Sequence, residues 1–429
     1  MRRLASLPAL LLAACASSLP TVPTPSADEG GRRQKELDWL VAALERRHPD
    51  IHSVTPPARF EDAVETLRED LPRRNPAEAF VGLLRIVALV GDSHTRLEDW
   101  SPVEELRLPV LFGAWPDGYW VMGVQPDHGE LFASRLVALE GRPVADCAER
   151  LSPLVPHENE IVLRNGVARL LGLPQVLAAV GLAPDAARVA LTLRGADGLE
   201  REITLESCPR AQLVGWAALP PPGWSEPLYR SRLGESWWWT ELSESRTLYF
   251  QYNRCGDDPQ APFVVLAAEI LERLDRGDLE RLVVDLRHNG GGDSEVLRPL
   301  LAGLGQRPEW RGERVAVLIG NATYSSAMMN ALALRRDLGA VLLGEPTGQK
   351  PNSFGEVRGF RLPFSGLRVG CSTKRFRLVE GDPPSLAPDV PVPTTFDDLH
   401  HGRDPVLERA LGAPADPPDL GGRTSPPDG

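Results

Sequence analysis

The sequence has little positive charge. Its 47 lysine and arginine residues are outnumbered by 59 aspartate and glutamate residues, which gives a formal net charge of −12. Proteins that bind nucleic acid neutralise its phosphates with clustered Lys and Arg side chains, whereas the charges of this chain are scattered. A nucleic-acid partner is therefore not expected. The 429 residues, 42% of them hydrophobic, instead have the composition of a folded protein with two or three domains.

Cysteine is also scarce, with five residues in all. None of them forms a Cys-x-x-Cys pair or a Cys/His cluster, and the chain lacks a Walker loop and a Gly-x-Gly-x-x-Gly turn after a strand. No metal, nucleotide or other cofactor is therefore predicted. Apart from Cys15 the cysteines are widely separated, and their spacing leaves open three disulfide pairings as well as four buried thiols: Cys147, Cys208, Cys255 and Cys371.

Long hydrophobic runs are absent, since no segment beyond the N-terminus reaches the roughly 18 apolar residues of a membrane helix. Residues 1–15 combine two arginines with a short apolar run, which is typical of an export signal. The end of this segment, Leu12-Ala13-Ala14-Cys15, resembles a bacterial lipobox, in which the cysteine receives a diacylglycerol; an ordinary cleaved signal is the alternative. Residues 16–32, rich in Pro and Gly, predict a flexible tether. We therefore expect a lipid-anchored protein of the cell envelope. Because Ala16 rather than Asp follows Cys15, the resemblance to sorted lipoproteins favours the outer membrane if the source is a bacterium with two membranes.

The rest of the chain predicts an α/β, multidomain protein. Residues 33–103 form a predicted helical unit, because apolar residues recur there at helical spacing. Residues 104–210 contain short strand-like runs separated by turn residues, which indicates a β unit. Strands and helices alternate over residues 211–412 after a proline-rich linker, and this alternation indicates an α/β domain. Residues 413–429 hold little that can pack, and we expect them to be disordered.

A glycine-rich turn follows the apolar strand predicted at 282–286. It reads Asp285-Leu286-Arg287-His288-Asn289-Gly290-Gly291-Gly292, and its glycines let backbone N–H groups approach a substrate without interference from Cβ atoms. A glycine run alone is weak evidence, because it also suits an ordinary connection between a strand and a helix.

A second apolar strand, predicted at 315–319, leads into Asn321-Ala322-Thr323-Tyr324-Ser325-Ser326-Ala327 and a helix that continues to about Leu338. A serine on such a turn presents its hydroxyl at the end of the sheet, and the free N–H groups at the start of the helix can stabilise an oxyanion. Ser325 is therefore the candidate nucleophile. Ser326 is the alternative, and a simple helix N-cap is the non-catalytic interpretation.

Two residues are candidates for the general base. Lys350 lies in Gly344-Glu345-Pro346-Thr347-Gly348-Gln349-Lys350-Pro351-Asn352, 25 residues after Ser325, and it could act as a base only if burial kept its amine neutral. His94 lies in Gly91-Asp92-Ser93-His94-Thr95, and histidine titrates in the useful range without such help. The non-catalytic interpretations are an exposed loop lysine and a packing histidine.

These motifs resemble those of the C-terminal processing (tail-specific) serine peptidase family. The turn at 285–292 is similar to the family's DLRxNxGG element, and 344–352 is similar to the GEPTxGK element that carries the lysine of the tail-specific branch. The Ser93-His94 pair is similar to the tricorn-like branch, in which a later glutamate, here Glu380, completes a tetrad. Met328 and Met329 stand where the tail-specific branch has a glutamate. The resemblance therefore leaves the base open between His94 and Lys350, with a slight preference for His94.

The resemblance implies a crotonase-like α/β catalytic domain and a PDZ-like β unit, the latter from the strand, turn and helix around residues 136–144; an unrelated β insert is the alternative. It also implies acyl-enzyme hydrolysis of protein or peptide substrates, with the Gly291 and Ser326 amides holding the oxyanion, and a PDZ-like unit would dock an extended peptide by strand addition. The runner-up is an inactive, envelope-anchored peptide-binding protein. An esterase is disfavoured, because Gly-x-Ser-x-Gly is absent around Ser325. The sequence does not predict the oligomeric state.

Overall fold

The computed structural model describes residues 18–217 and 226–412. The predicted signal peptide with Cys15, the proline-rich linker at Pro220–Gly223 and the C-terminal tail lie outside these residues. Within them, no helix is both long and apolar enough to cross a bilayer.

The N-terminal part of the described chain consists of three helices, two of which begin at a residue whose side chain caps the helix. Asn75 accepts the Glu78 N–H while the Glu78 carboxylate accepts the Asn75 N–H, so the last of these helices begins with a capping box. The first helix begins earlier than predicted, because Asp28 caps it by accepting the Gly31 N–H, and residues 29–32 are therefore helical rather than part of a tether. The helices are α1 (Glu29–Arg47), α2 (Pro57–Asp70) and α3 (Pro76–Ala88).

The middle part is built on an antiparallel sheet. Alternate residues of its strands are buried, as at Val189, Leu191 and Leu193, so one face of the sheet packs on the core. The short strand β1 (Arg96–Leu97) ends the N-terminal part. The strands of the middle part are β2 (Leu106–Arg107), β3 (Val110–Trp115), β4 (Gly118–Val124), β5 (Arg135–Leu139), β6 (Arg142–Pro143), β7 (Arg188–Arg194), β8 (Glu200–Glu206) and β9 (Cys208–Pro209). The helices are α4 (Val144–Leu151), α5 (Glu160–Leu171) and α6 (Pro174–Ala179).

The main sheet of this part has the order β3-β4-β5-β7-β8, with β6 paired to β5. The predicted closing hairpin is present as β7 and β8, and the predicted strand, glycine turn and helix are present as β5, Gly141 at φ 69° and α4. Ala217 forms an isolated bridge with Val124, so the chain still contacts this sheet at residue 217.

The C-terminal part is an α/β unit. Its strands are β10 (Trp237–Leu242), β11 (Thr247–Tyr252), β12 (Arg281–Asp285), β13 (Val315–Ile319), β14 (Val341–Gly344), β15 (Phe354–Val357), β16 (Phe360–Arg361), β17 (Arg368–Gly370), β18 (Ser372–Arg375) and β19 (Val390–Pro391). Its helices are α7 (Phe263–Asp275), α8 (Arg298–Gly305), α9 (Ser326–Leu338), α10 (Phe396–His400) and α11 (Pro405–Ala410).

The sheet of this unit has the order β10-β11-β12-β13-β14-β19, and all its pairings except β10 with β11 are parallel. Helices α7, α8 and α9 contribute to the apolar cluster on one face, while Val406 and Leu407 of α11 pack on the other. Both faces are thus covered, which explains why β12 and β13 are almost uniformly apolar. The predicted α/β, multidomain fold is confirmed, and the four described cysteines are free thiols rather than disulfides.

The parts interlock around the loop that carries His94. Strand β17 pairs with β16 and with β1, so a hairpin from the C-terminal segment adds to a strand from the N-terminal one. The apolar residues of this hairpin share one core with α1–α3 and with the middle sheet. The predicted units 33–103 and 104–210 therefore do not have separate cores. The pairing fixes the segment that follows His94 close to the α/β unit.

Candidate active site

Ser325 lies on a strained turn between β13 and α9. Its backbone has φ 54° and ψ −126°, a region that non-glycine residues rarely occupy and that costs about 1–3 kcal/mol. The Ser325 N–H donates to Gln349 Oε1 at 2.6 Å. The buried Thr323 hydroxyl donates to the Leu286 carbonyl at 2.9 Å and accepts the Gly320 N–H at 3.0 Å. These bonds on both sides of the turn hold the strained conformation in place.

His94 faces the Ser325 hydroxyl. The distance from His94 Nε2 to Ser325 Oγ is 3.1 Å, which is a hydrogen bond between a candidate base and a candidate nucleophile. Burial lowers the pKa of His94 to about 4, although the nearby Asp92 carboxylate acts in the opposite direction. The imidazole is therefore neutral near pH 7, so one of its two nitrogens is free to accept a proton.

The other ring nitrogen of His94 faces a tyrosine. His94 Nδ1 is 3.0 Å from the Tyr324 hydroxyl, which also hydrogen bonds with Ser93 Oγ. The two rings lie against each other with their centroids 4.7 Å apart. The nearest Asp92 oxygen is 3.9 Å from Nδ1, too far for a hydrogen bond. Tyr324, rather than a carboxylate, is thus the direct neighbour of the histidine.

A carboxylate that the sequence did not predict, Glu158, completes this cluster. The Ser93 N–H donates to Glu158 Oε1 at 3.1 Å, while Glu158 Oε2 is buried without a hydrogen-bond partner among the described residues. Burial, and next the charge of Asp92, raises the pKa of Glu158 to about 7. The loop that carries Glu158 is docked on the α/β unit by the neighbouring Asn159, whose side chain donates to the Gly348 and Pro384 carbonyls.

Asp92 lies under the histidine loop and organises it. It is fully buried and accepts hydrogen bonds from the His94 N–H at 3.1 Å and from the Thr95 hydroxyl at 2.6 Å, while His48 Nε2 lies 3.2 Å away. Burial by itself would raise the pKa of Asp92, but the hydrogen bonds outweigh burial and hold that pKa below its usual value. Asp92 is therefore a carboxylate whose charge lies near His94 without a direct bond to its ring.

Asp92, His94 and Glu158 each bring one potential ligand atom to within 4.8 Å of the others. The Asp92 oxygens already accept hydrogen bonds from protein groups. These hydrogen bonds account for the arrangement of the three side chains without a bound ion.

The glycine turn lies directly against the nucleophile. A Cβ atom on Gly291 would lie 2.7 Å from Ser325 Cβ and 3.0 Å from the Ser326 nitrogen, so only glycine fits there. The Ser326 N–H has no acceptor among the hydrogen bonds of the described residues, as the predicted oxyanion role requires. The Gly291 N–H, by contrast, donates to Asn289 Oδ1 at 2.9 Å. Its predicted oxyanion role therefore needs correction, because an oxyanion would first have to replace Asn289.

Arg287 anchors the same turn from below. It is buried, and its guanidinium donates to both Asp285 oxygens and to both Asp404 oxygens, at 2.6–3.1 Å. Tyr229 covers its face at 4.1 Å. The arginine of the DLRxNxGG element thus links β12 to α11 and has a structural rather than a catalytic position.

Two of the predicted site residues lie away from Ser325. Lys350 donates to Asp382 Oδ2 at 2.7 Å, in an ion pair at the protein surface. The preceding residue, Gln349, is the one that contacts the nucleophile. Glu380 is solvent-exposed and is not part of the cluster around His94. The structure thus brings Ser93, His94, Ser325 and Ser326 together and leaves Lys350 and Glu380 outside.

A pocket of about 590 Å³ opens beside this cluster. Ser93 and Tyr324 form one wall, and Arg96 and Asn165 add polar groups. The remaining lining is mainly apolar and includes Leu84, Leu97, Trp100, Val155, Val162 and Leu170.

Sequence reasoning missed Tyr324 as a contact of the histidine and Glu158 altogether. Tyr324 stands beside the predicted nucleophile, so its position was a usable signal. Glu158 is separated from Ser93 by 65 residues and lies in no motif, so only the fold shows that it belongs here.

No protein-family profile and no curated protein matches this chain. Among solved structures, mature CPAF complexed with lactacystin is similar over 88% of this chain and 97% of that one, with a TM-score of 0.64 at 13% identity. Mature CPAF gives a TM-score of 0.61 at 13% identity, over 88% of this chain and 95% of that one. The photosystem II D1 C-terminal processing protease gives 0.39 at 14% identity, over 87% and 98%. At these identities the likeness to CPAF establishes a shared fold, which supports the predicted resemblance at that level.

Proposed function

We propose that this protein is a serine peptidase, with Ser325 as nucleophile and His94 as general base. The observation that carries the proposal is the 3.1 Å hydrogen bond between His94 Nε2 and Ser325 Oγ, on a strained turn that exposes the hydroxyl at the end of the sheet. A neutral, buried imidazole bonded to a serine hydroxyl has few structural explanations other than nucleophile activation. The shared fold with CPAF and the peptidase-like motifs agree with this chemistry.

In the proposed reaction, Ser325 Oγ attacks the carbonyl carbon of a peptide bond and its proton passes to His94 Nε2. The carbonyl oxygen becomes an oxyanion beside the Ser326 N–H at the start of α9, where the helix dipole also favours negative charge. Collapse of the tetrahedral intermediate transfers the His94 proton to the leaving amine and leaves an acyl-enzyme. Water then attacks the acyl carbon while His94 Nε2 takes its proton. The second tetrahedral intermediate collapses, the acyl–oxygen bond breaks, the acid product leaves, and His94 returns the proton to Ser325 Oγ.

The substrates we propose are proteins or peptides that present an extended segment. The pocket beside Tyr324 suits an apolar side chain of such a segment, because most of its lining is apolar. The middle antiparallel sheet would act as a PDZ-like unit that docks the peptide by strand addition.

The test is labelling with a fluorophosphonate probe, which reacts with activated serines. We expect labelling of the wild-type protein and none of Ser325→Ala. Ser326→Ala is the matched control, because the Ser326 hydroxyl donates to the Gly292 carbonyl at 2.7 Å and does not contact His94. Folded wild-type protein that resists the probe would contradict the proposal and favour a peptide-binding protein without turnover. Labelling that disappears only in Ser326→Ala would move the nucleophile by one residue.

We further propose that Cys15 carries the lipid that anchors the mature protein in the cell envelope, in the outer membrane where the cell has two membranes. The lipobox-like Leu12-Ala13-Ala14-Cys15 supports this. Intact-mass analysis of protein extracted from membranes should show a diacylglyceryl group at Cys15, and Cys15→Ser should abolish it. A mature chain with an unmodified N-terminus would contradict the anchor.

A further inference from the structure

We propose that Tyr324 is the positioning residue of His94: its phenol fixes the histidine tautomer and links the ring through Ser93 to the buried carboxylate of Glu158. This inference rests on the proposed function, since it concerns how the base is prepared. It replaces the carboxylate that usually orients a catalytic histidine with a neutral hydroxyl.

The first step of the argument is the tautomer. His94 Nε2 can accept the Ser325 proton only if it carries no proton itself, so the ring proton must lie on Nδ1. An Nδ1–H group needs an acceptor. Among the described residues, the oxygen within hydrogen-bond distance of Nδ1 is the Tyr324 hydroxyl at 3.0 Å. The nearest Asp92 oxygen, at 3.9 Å, already accepts the His94 backbone N–H.

The second step is the direction of the chain of hydrogen bonds. If Tyr324 accepts from Nδ1–H, its own proton donates to Ser93 Oγ. The Ser93 hydroxyl proton is then available for Glu158, whose Oε1 already accepts the Ser93 N–H and whose Oε2 is buried without a partner. In this direction the Tyr324 hydroxyl accepts one hydrogen bond and donates another, while the observed link from Ser93 to Glu158 is the Ser93 backbone N–H.

The third step concerns charge. When His94 takes the proton of Ser325 it becomes an imidazolium, and a neutral phenol alone would stabilise this cation weakly. Burial holds the pKa of Tyr324 well above its usual value, so the phenol keeps its proton and acts only as a hydrogen-bond relay. The negative charge comes from Asp92, 3.9 Å from Nδ1, and from Glu158 at the end of the chain. Tyr324 therefore sets geometry, and the two carboxylates set the electrostatics.

The test is Tyr324→Phe, which removes the hydroxyl and keeps the ring that lies against His94. We expect kcat to fall about 10- to 100-fold, the size expected for loss of one hydrogen bond to a charged group, while KM changes less than about twofold. Tyr252→Phe is the matched control, because Tyr252 is a buried tyrosine of β11 that packs in the apolar core of the α/β unit. It should leave kcat unchanged.

The readout that separates positioning from mere packing is ¹⁵N NMR of the histidine rings. In the wild-type protein His94 should show a protonated Nδ1 and an unprotonated Nε2, and in Tyr324→Phe the two tautomers should mix. Ser93→Ala provides a second variant, since it removes the acceptor of the Tyr324 hydroxyl; it should lower kcat by a smaller factor. This variant decides the question if Tyr324→Phe does not fold.

An unchanged kcat together with an unchanged His94 tautomer in Tyr324→Phe would overturn the inference and assign the Nδ1 proton to Asp92. Failure of the proposed function is distinguishable. A wild-type protein without probe labelling or turnover would remove the peptidase assignment, yet the NMR spectra would still show whether Tyr324 sets the tautomer.

Discussion

The strained backbone of Ser325 predicts that glycine at this position gives a more stable protein than alanine does, the reverse of the usual order. Ser325→Ala and Ser325→Gly both remove the hydroxyl and its hydrogen bond to His94, so they differ only in the backbone. Alanine keeps the unfavourable φ of 54°, whereas glycine adopts that conformation at little cost, which relieves about 1–3 kcal/mol of strain. Glycine also loses about 0.4–1 kcal/mol through the greater freedom of the unfolded chain.

The difference predicts that Ser325→Gly is more stable than Ser325→Ala by about 0.5–2 kcal/mol, although both variants are inactive. Thermal melting of the two proteins side by side measures it, as a shift of about 1–2 °C in favour of glycine, because the entropy of unfolding of a chain of this length is about 0.9 kcal/mol/K. The control is the same pair at Ser326, the first residue of α9, where the order should reverse because glycine is unfavourable in a helix. If Ser325→Ala equals or exceeds Ser325→Gly while the Ser326 pair behaves normally, the turn is not strained and the reasoning fails.

Three further predictions concern the base, the pH profile and the glycine turn. His94→Ala should lower kcat/KM by about 10²- to 10⁴-fold in a peptide-cleavage assay. Lys350 lies in a surface ion pair, so Lys350→Ala should stay within a few-fold of wild type. An inactive Lys350→Ala together with an active His94→Ala would instead make Lys350 the base, as in the serine-lysine branch. The pKa of Glu158 is about 7 and that of His94 about 4, so kcat/KM should rise as Glu158 ionises through pH 7. Glu158→Gln should remove that limb of the pH profile and leave the limb near pH 4. Steady-state rates between pH 4 and 9 can check both. Gly292 has φ 135°, and a Cβ atom there would lie 1.9 Å from the Cys255 carbonyl oxygen, so Gly292→Ala should yield little folded protein. A Cβ atom on Gly290 meets nothing within 4 Å, so Gly290→Ala should fold. Expression yield and thermal melting compare the two variants.

The same pKa values determine how the site affects stability. The pKa of Glu158 is raised in the folded protein, so its contribution is present below the ordinary value of about 4.5 and is lost as pH rises towards 7. The pKa of His94 is lowered, so its contribution is present above about 6.5 and is lost as pH falls towards 4. At neutral pH the contribution of His94 is therefore present while that of Glu158 is partly lost, and Glu158→Gln should relieve the cost of ionising the buried carboxyl.

Much of the α/β unit could be predicted from the sequence, because its central strands are short and almost uniformly apolar and the candidate nucleophile lies in a recognisable turn. The strands predicted at 282–286 and 315–319 are present as Arg281–Asp285 and Val315–Ile319. The start of α1 was missed because Gly30 and Gly31 suggested a linker, although Asp28 in front of them is a good N-cap.

The rest of the site depends on long-range packing. Lys350 and Gln349 are adjacent, and only the path of the loop decides that Gln349 faces Ser325 while Lys350 points to Asp382. Glu158 reaches the site because Asn159 docks its loop on the α/β unit. Neither outcome is encoded in a local pattern. An unperturbed histidine would give the pH profile a limb near pH 6.5. Burial lowers the pKa of His94 and moves this limb to lower pH, and burial is also a property of the whole fold.

The pairing of β1 with β17 has a consequence for the order in which the candidate site is assembled. The proposed base and the proposed nucleophile are 231 residues apart, and the segment after His94 is held in place by a strand that is synthesised even later than Ser325. A chain that emerges from its N-terminus therefore carries an incomplete candidate site until residue 370 has arrived. Under the proposed function, peptidase activity appears only after that point of synthesis.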